Sequence, residues 1–241
     1  MKIVELAEVN YYYDEQTVLK NISINFPKNK ITAIIGKSGS GKSTLLQSIN
    51  GLIKPASGQI KIFGDNFNYE QATSIRLQMG YMVQGTGLFP HLTIAENISI
   101  AGNLTNKIFL KTDRINKLMT LVGLPESFQK KYPFELSGGE QQRVGICRTL
   151  FLNPPILLMD EPLGSLDPIT RYEIQQEILK LQQLEPRTVL LVTHDMREAK
   201  KLADYILVLD KGEIQQFDTA EKVLESPANK AVEELINASL A

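Results

Sequence analysis

The stretch GKSGSGKST, at residues 36–44, constrains this chain more than any other part of its sequence. An apolar run at residues 31–35 precedes it, and an apolar segment that begins at Leu45 follows it. Its glycines, lysine and serine have the spacing G-x-x-x-x-G-K-S of a P-loop, or Walker A motif. Glycines let the backbone wrap closely around a phosphate, and the loop N–H groups form an anion nest at the positive end of a helix. The sequence therefore predicts a strand, a phosphate-binding loop and a helix, in that order.

Two side chains of this loop have predicted roles with a nucleoside triphosphate. Lys42 is expected to reach the β- and γ-phosphates, and Ser43 is expected to ligate Mg²⁺. Backbone groups supply the remaining contacts, so the whole loop is predicted to bind the nucleotide. Its nine residues are Gly36, Lys37, Ser38, Gly39, Ser40, Gly41, Lys42, Ser43 and Thr44.

Composition argues against several other classes of protein. The formal net charge of −1 over 241 residues does not mark a general binder of nucleic acid or anionic membranes. A single cysteine, Cys147, cannot form an internal disulfide and fits a reducing compartment. No apolar run reaches the length of about 18 residues that a membrane span requires, and the first residues do not resemble a signal peptide.

The pattern of strand-like and helix-like segments changes along the chain. Both flanks alternate the two kinds of segment, whereas residues 86–150 lack convincing strands. We therefore predict a single domain over residues 1–241, an α/β core with a helical insertion. The core is assigned to residues 1–85 and 152–241, and the helical subdomain to residues 86–151.

Two apolar clusters each allow two interpretations. Tyr11–Tyr13 stand between strands expected at residues 3–9 and 22–26. They are either packing residues at a strand edge or the source of a ring that stacks on adenine. Leu88–Pro90 stand in an expected loop, where they are either tucked under it or exposed to bind a partner.

Polar residues follow two expected buried strands. The apolar run at residues 156–159, an expected buried strand, is followed directly by Asp160 and Glu161. Such a pair is usually a solvated surface pair, but in P-loop enzymes a carboxylate in this place holds Mg²⁺, usually through water. Asp160 is that candidate, and Glu161 is the candidate to orient or deprotonate the attacking water. His194, after another expected strand, is either a surface residue or a contact to the γ-phosphate.

Two helix starts are expected from capping patterns. Residues 137–140, Ser-Gly-Gly-Glu, have the spacing of a capping box before an amphipathic helix. Adjacent glycines weaken a first turn, but they suit an anion that must approach the backbone closely. The side-chain cap and an anion would use the same backbone N–H groups. The helix start can therefore be both capped and anion-binding, if the anion binds in only one state of the protein. Asp167, followed by Pro168, is expected to cap a helix at residues 169–184.

Taken together, these segments resemble the nucleotide-binding subunit of ATP-binding cassette (ABC) transporters over essentially the whole chain. The octapeptide LSGGEQQR at residues 136–143 resembles the family's signature, and it precedes the strand ILLMDE, as the family requires. The resemblance implies a P-loop NTPase (RecA-like) α/β core with an antiparallel β subdomain and an inserted α-helical subdomain. It also implies an ATPase that uses ATP and Mg²⁺.

The same resemblance assigns roles to single residues. Tyr13 is the best match to the aromatic that stacks on adenine. Gln84 resembles the Q-loop glutamine that senses Mg²⁺, water and the membrane partner, and His194 resembles the switch histidine. Ser165 and Asp167 belong to a segment that resembles the D-loop. The implied catalytic residues are Glu161, His194 and Gln84. The implied metal ligands are Ser43, Gln84 and Asp160. The signature residues that are implied to contact ATP are Ser137, Gly138, Gly139 and Glu140.

The resemblance also implies partners and a location. Two copies pair head to tail around ATP, on the cytoplasmic face of a membrane. They work with transmembrane permease subunits and a separate solute-binding protein, and not with nucleic acid. The segments 88–98 and 202–236 resemble bacterial and archaeal importers, most closely those of osmoprotectants such as glycine betaine, choline or carnitine. The alternatives are a lipid-trafficking, export or amino-acid transporter ATPase, or a soluble ABC ATPase that acts on DNA or the ribosome.

Overall fold

The computed structural model describes residues 2–105 and 111–240. Contacts divide the chain into two compact units. The first unit contains Met1–Arg76 and Arg187–Ala241, and the second unit contains Leu77–Pro186. Within the described ranges, none of the helices combines the length and the hydropathy that a membrane span requires.

Strands and helices are interspersed on both sides of the helical region in the described part of the chain. The strands are β1 (Lys2–Tyr13), β2 (Gln16–Pro27), β3 (Ile31–Ile35), β4 (Ser57–Ile62), β5 (Asp65–Asn66), β6 (Met79–Met82), β7 (Ile156–Asp160), β8 (Thr188–Val192), β9 (Tyr205–Asp210) and β10 (Glu213–Thr219). The α-helices are α1 (Lys42–Ile49), α2 (Ala72–Arg76), α3 (Ile94–Ser99), α4 (Lys111–Leu121), α5 (Gly138–Leu150), α6 (Pro168–Leu184), α7 (Met196–Leu202), α8 (Ala220–Glu225) and α9 (Lys230–Leu240). Short 3-10 helices lie at Tyr69–Gln71, Ile100–Leu104, Glu126–Lys130 and Pro133–Glu135.

An antiparallel sheet with the order β2-β1-β4-β5 forms part of the first unit. β1 and β2 are a hairpin in which Tyr13 lies opposite Gln16, so the turn is at Asp14 and Glu15. The strand predicted at residues 3–9 is too short, because pairing continues through Tyr11–Tyr13 to the turn. These tyrosines therefore belong to a strand rather than to a connection, in keeping with the strand preference of aromatic residues.

The parallel strands of the first unit are built around β3, which pairs with β8 on one side and β9 on the other. Every residue of β3 and β8 is buried, as expected for strands covered on both faces. β10 adds antiparallel to β9, and side chains of β3, β9, α7, α8 and α9 form one apolar cluster. Because β3 and β8 are parallel, the residues that follow them lie at one edge of the sheet.

The second unit pairs β6 and β7 in parallel and packs helices around them. The helix α5 approaches β6 closely, since a Cβ at Gly80 would overlap the carbonyl oxygen of Thr149. Residues 86–105 and 111–151 contain helices and no strand, in agreement with the predicted helical insertion. The helix α3 ends at Ser99, and the chain continues as a 3-10 helix. The domain bounds themselves stay a prediction.

Candidate functional site

The predicted phosphate-binding loop turns directly out of β3. Gly36 is packed so tightly that a Cβ there would overlap the carbonyl oxygen of Leu209. Gly41, the N-cap of α1, has a φ of 101°, and a Cβ there would lie 2.8 Å from the carbonyl oxygen of Val18. Both positions therefore require glycine, for its lack of a Cβ and, at Gly41, for its left-handed backbone.

The start of α1 fits an anion. No side chain caps this helix, and its first turn carries no acidic residue. Phosphate oxygens can therefore take the place of a cap on the first N–H groups. Ser40 is buried, and its hydroxyl has no hydrogen-bond partner among the described residues. This hydroxyl is a further potential donor within the loop.

Lys42 folds back over the loop. Its Nζ donates hydrogen bonds to the carbonyl oxygens of Gly36, at 2.8 Å, and Lys37, at 2.9 Å, and the residue is only 8% exposed. Because a buried ammonium is costly without such partners, these carbonyls hold the charge inside the loop. Ser43 and Thr44 lie in the first turn of α1, the former half-buried and the latter buried, while residues 37–39 are exposed.

Tyr13 lies in the first unit with this loop. Its hydroxyl lies 3.5 Å from Oε1 of Gln47 on α1, and its ring meets Tyr11 edge-on at 4.9 Å. The side chain of Tyr13 is 47% exposed. The structure therefore places Tyr13 beside the helix that follows the loop, with part of its ring open to a ligand.

His194 also lies in the first unit. Val192 is opposite Ile34 in the parallel pair of β8 and β3, and the N–H of Thr193 donates to the carbonyl of Ile34 at 3.3 Å. His194 follows at once and is exposed. It is thus at the same strand edge as Gly36, the first residue of the phosphate-binding loop.

Gln84 and Glu161 meet in the second unit. Met82 lies opposite Met159 in the parallel pair of β6 and β7, so the residues that follow both strands emerge at one edge. Nε2 of Gln84 donates to Oε2 of Glu161 at 3.4 Å. Asp160, the last residue of β7, is buried. Two of the three predicted catalytic residues are therefore in contact, and a predicted metal ligand precedes one of them.

The predicted magnesium ligands are divided between the units. Ser43 belongs to the first unit, and Gln84 and Asp160 belong to the second. Each offers an oxygen, which is the kind of ligand that Mg²⁺ prefers. The chemistry of these donors fits magnesium, and their action as one site stays a prediction.

A tight turn connects Glu161 to the D-loop-like segment. Glu161 has a φ of 50°, a left-handed conformation that is uncommon for residues with a Cβ. Asp167 then caps α6, as predicted, because its Oδ1 accepts from the N–H groups of Ile169 and Thr170 at 3.1 Å each. Hydrogen bonding to Thr170 lowers the pKa of Asp167 from its ordinary value. Ser165, inside the turn, is exposed.

The predicted capping box of α5 is confirmed. Oγ of Ser137 accepts from the N–H of Glu140 at 3.3 Å, and the Glu140 carboxylate accepts from the N–H and hydroxyl of Ser137 at 2.7 and 2.8 Å. These hydrogen bonds to Ser137 lower the pKa of Glu140. Gly138 is exposed, and a Cβ there would meet no atom within 4 Å. The first turn of α5 is therefore capped and still open to a large anion.

The sequence prediction missed two polar residues of α5. Gln142 bonds to the carbonyl oxygen of Glu161 and to the N–H of Ser165. Arg148 donates to the carbonyl oxygens of Gly87, at 2.7 Å, and Thr86, at 3.3 Å, and its burial lowers its pKa. Both residues are three positions from Gly145, which is buried, so long polar side chains on a buried helix face were the available signal.

The apolar loop after Gln84 is held firmly. The buried Asn97 accepts from the N–H of Phe89 at 2.8 Å and donates to the carbonyls of Phe89 and Leu92 at 3.0 and 2.9 Å. Leu88 is half-buried, Phe89 is 42% exposed and Pro90 is exposed. Of the two interpretations, an exposed apolar surface therefore applies to Phe89 and Pro90.

Known proteins resemble this chain in sequence over most of its length. Residues 19–164 match the family model described as "ABC transporter". The chain is 43% identical over 237 residues to the glycine betaine/carnitine/choline transport ATP-binding protein OpuCA of Bacillus subtilis. This match covers 98% of the present chain but only 62% of the length of OpuCA. The chain is 40% identical over 238 residues to the glycine betaine uptake system ATP-binding protein YehX of Escherichia coli, covering 98% of this chain and 77% of YehX.

A solved structure gives the same indication for the fold. The dimeric ATP-binding cassette MJ0796, in a post-hydrolysis state bound to ADP and Pi, matches with a TM-score of 0.84 and 33% identity. The match covers 90% of this chain and 99% of that chain. This likeness confirms the predicted α/β fold class of a P-loop NTPase.

Proposed function

Because the chain belongs to the ABC transporter family, we propose that it is the ATP-hydrolysing subunit of an importer of quaternary-amine osmoprotectants such as glycine betaine, choline and carnitine. The observation that carries the solute class is the identity of 40–43%, over 98% of this chain, to two transport ATP-binding proteins named for glycine betaine. The observed contact between Gln84 and Glu161 supports the hydrolytic role.

The proposed roles of the first unit concern nucleotide binding. The phosphate-binding loop, residues 36–44, holds the triphosphate with its N–H groups and with the ammonium of Lys42. Tyr13 stacks on adenine. Ser43 would help to hold Mg²⁺, which when bound would supply positive charge beside the phosphates. His194 contacts the γ-phosphate.

The proposed roles of the second unit concern hydrolysis. Glu161 orients or deprotonates the attacking water. Asp160 would help to hold Mg²⁺, and Gln84 would respond to the metal, the attacking water and the membrane partner. Ser137, Gly138, Gly139 and Glu140 contact the ATP that is held by a second copy of the chain. The pairing of two copies in this way is supported by the dimeric state of MJ0796.

The remaining partners follow from the importer proposal. Permease subunits in the membrane form the path for the solute, and a separate solute-binding protein delivers it. The chain works at the cytoplasmic face of the membrane as a peripheral subunit.

ATP closes the dimer because it contacts both copies in the closed state, and loss of the γ-phosphate reopens the dimer.

The proposal is tested by uptake of labelled glycine betaine and choline at high osmolarity. Cells with the native chain are compared with cells that carry Glu161→Gln or Glu173→Gln at matched protein level. We expect Glu161→Gln to reduce uptake to the level of cells without the chain, and the control, an exposed carboxylate on α6, to retain native uptake. Uptake of labelled sulfate should not depend on the chain. Sulfate uptake that follows the native chain, with unchanged betaine uptake, would assign a different solute.

A second prediction concerns coupling to the permease. Leu88→Asp places a charge in the partly exposed apolar loop, so we expect uptake to be lost while the Kd for ATP is retained. Nucleotide binding to the purified chain and uptake in cells measure the two effects. Leu184→Asp, at an exposed leucine of the same unit, is the matched control. Loss of ATP binding in Leu88→Asp would instead indicate that Leu88 has a packing role.

A further inference from the structure

The side chain of Gln142 uses both ends of its amide inside the second unit. It is 3% exposed, so it has almost no access to water. Nε2 donates to the carbonyl oxygen of Glu161 at 2.9 Å, and Oε1 accepts from the N–H of Ser165 at 2.8 Å. One residue of α5 is therefore bonded to the backbone at two points of the turn that follows β7.

This turn has weak internal support. Its own backbone bonds, from Gly164 to Glu161 and from Leu166 to Leu163, are both 3.3 Å long. Glu161 also holds a left-handed backbone, with a φ of 50°, that a residue with a Cβ adopts only when its surroundings enforce it. The shorter bonds from Gln142 provide such enforcement at the residue whose carboxylate contacts Gln84.

The first turn of α5 also lies near this turn of the chain, with space for one more carbon atom between them. A Cβ at Gly139 would lie 3.5 Å from the carbonyl oxygen of Ser165 and 3.6 Å from Cδ2 of Leu166. Gly139 and Gln142 are three residues apart and hence on one helix face. Two hydrogen bonds from Gln142 thus join α5 to the backbone of Glu161 and Ser165, and Gly139 in the first turn of the helix lies on the same face, near Ser165.

We propose that Gln142 is a positioning residue for ATP hydrolysis, which ties the backbone of Glu161 and Ser165 to the helix that carries Ser137–Gly139. When a triphosphate held by a second copy orders that helix start, the same helix fixes the turn from which the Glu161 carboxylate projects. Gln142 acts through Glu161 and does not touch the nucleotide. The inference rests on the proposed function.

The first test separates positioning from simple stability. Gln142→Leu keeps the approximate volume but removes donor and acceptor. We expect its kcat for ATP with Mg²⁺ to fall by about 10- to 100-fold, the effect of a small misplacement of a catalytic group. KM and the Kd for ATP should stay near the native values. The control Gln129→Leu removes another side-chain hydrogen bond of the same unit, to Asn116, away from this turn. Its kcat should be close to native at a similar loss in Tm.

The second test uses a variant whose protonated form reproduces the native amide. In Gln142→Glu the neutral carboxyl donates one hydrogen bond and accepts another, whereas the carboxylate opposes the carbonyl oxygen of Glu161. Burial raises the pKa of a carboxyl. We therefore expect the ratio of variant to native kcat to rise as the pH is lowered from 8 to 6, because acid restores the donor.

The outcomes distinguish the two proposals. If the native chain, with its permease, does not hydrolyse ATP, the proposed function fails and Gln142 has no reaction to serve. If the native chain hydrolyses ATP but Gln142→Leu matches Gln129→Leu in kcat, the positioning role is wrong and the proposed function stands. A ratio for Gln142→Glu that does not change with pH also contradicts the positioning role, because restoring the donor then has no effect.

Discussion

Glu161→Gln should lower ATP turnover by about 10²- to 10⁴-fold, the range typical of a positioned general base. The amide has the same size as the carboxylate and can still accept a hydrogen bond from Nε2 of Gln84 through its oxygen. It cannot take a proton from water, so the loss should appear in kcat, while the Kd for ATP remains close to native. Steady-state hydrolysis and equilibrium nucleotide binding on the purified chain measure the two quantities.

The same variant should accumulate the closed dimer. Because the γ-phosphate is not removed, ATP and Mg²⁺ continue to hold two copies together, and light scattering at millimolar ATP should report twice the mass of the chain. Glu173→Gln is the matched control, since it makes the same substitution at an exposed site on α6. Native turnover in Glu161→Gln would exclude Glu161 as the essential base. A monomer at millimolar ATP would contradict the head-to-tail dimer instead.

Features set by neighbouring residues were predictable from the sequence. The strand β3 has the predicted bounds, because a run of five buried residues, four of them apolar, ends at a glycine whose position admits no Cβ. The caps of α5 and α6 also formed as predicted, at Ser137 and Asp167. In each case a side chain bonds to a backbone group two or three residues away, so short sequence patterns contain the whole interaction.

Features that depend on distant residues were not predictable. Gln142 and Glu161 are separated by 19 positions in the sequence. The hydrogen bond between them forms only because α5 packs against β6, and because β7, which pairs with β6, places Glu161 next to α5. Asn97 supports the loop after Gln84 through backbone carbonyls that no side-chain pattern identifies. The length of β1 was likewise underestimated, because a strand ends where its partner does, and pairing with β2 reaches Tyr13.

Lys42→Met should weaken ATP binding by about 10²- to 10⁴-fold. The methionine side chain fills a similar volume but lacks the ammonium that is proposed to contact two phosphate groups. Hydrogen bonds to charged groups contribute about 1.5–3 kcal/mol each, so two of them correspond to about 3–6 kcal/mol, or two to four decades in Kd. Equilibrium binding of ATP with Mg²⁺ to the purified variant measures this loss.

The variant should also be less stable without nucleotide, because Nζ of Lys42 bonds to the carbonyl oxygens of Gly36 and Lys37. Each kcal/mol lost lowers Tm by about 2–4 °C in a domain of this size. Lys28→Met, at an exposed lysine of the same unit, is the control and should change neither Kd nor Tm. If Lys42→Met lowers Tm but leaves the Kd native, the ammonium serves only to close the loop. AMP lacks the β- and γ-phosphates. If Lys42→Met lowers the affinity for ATP far more than the affinity for AMP, the charge of Lys42 acts on those two phosphates. The two nucleotides therefore decide whether the buried ammonium is part of the scaffold or part of the binding site.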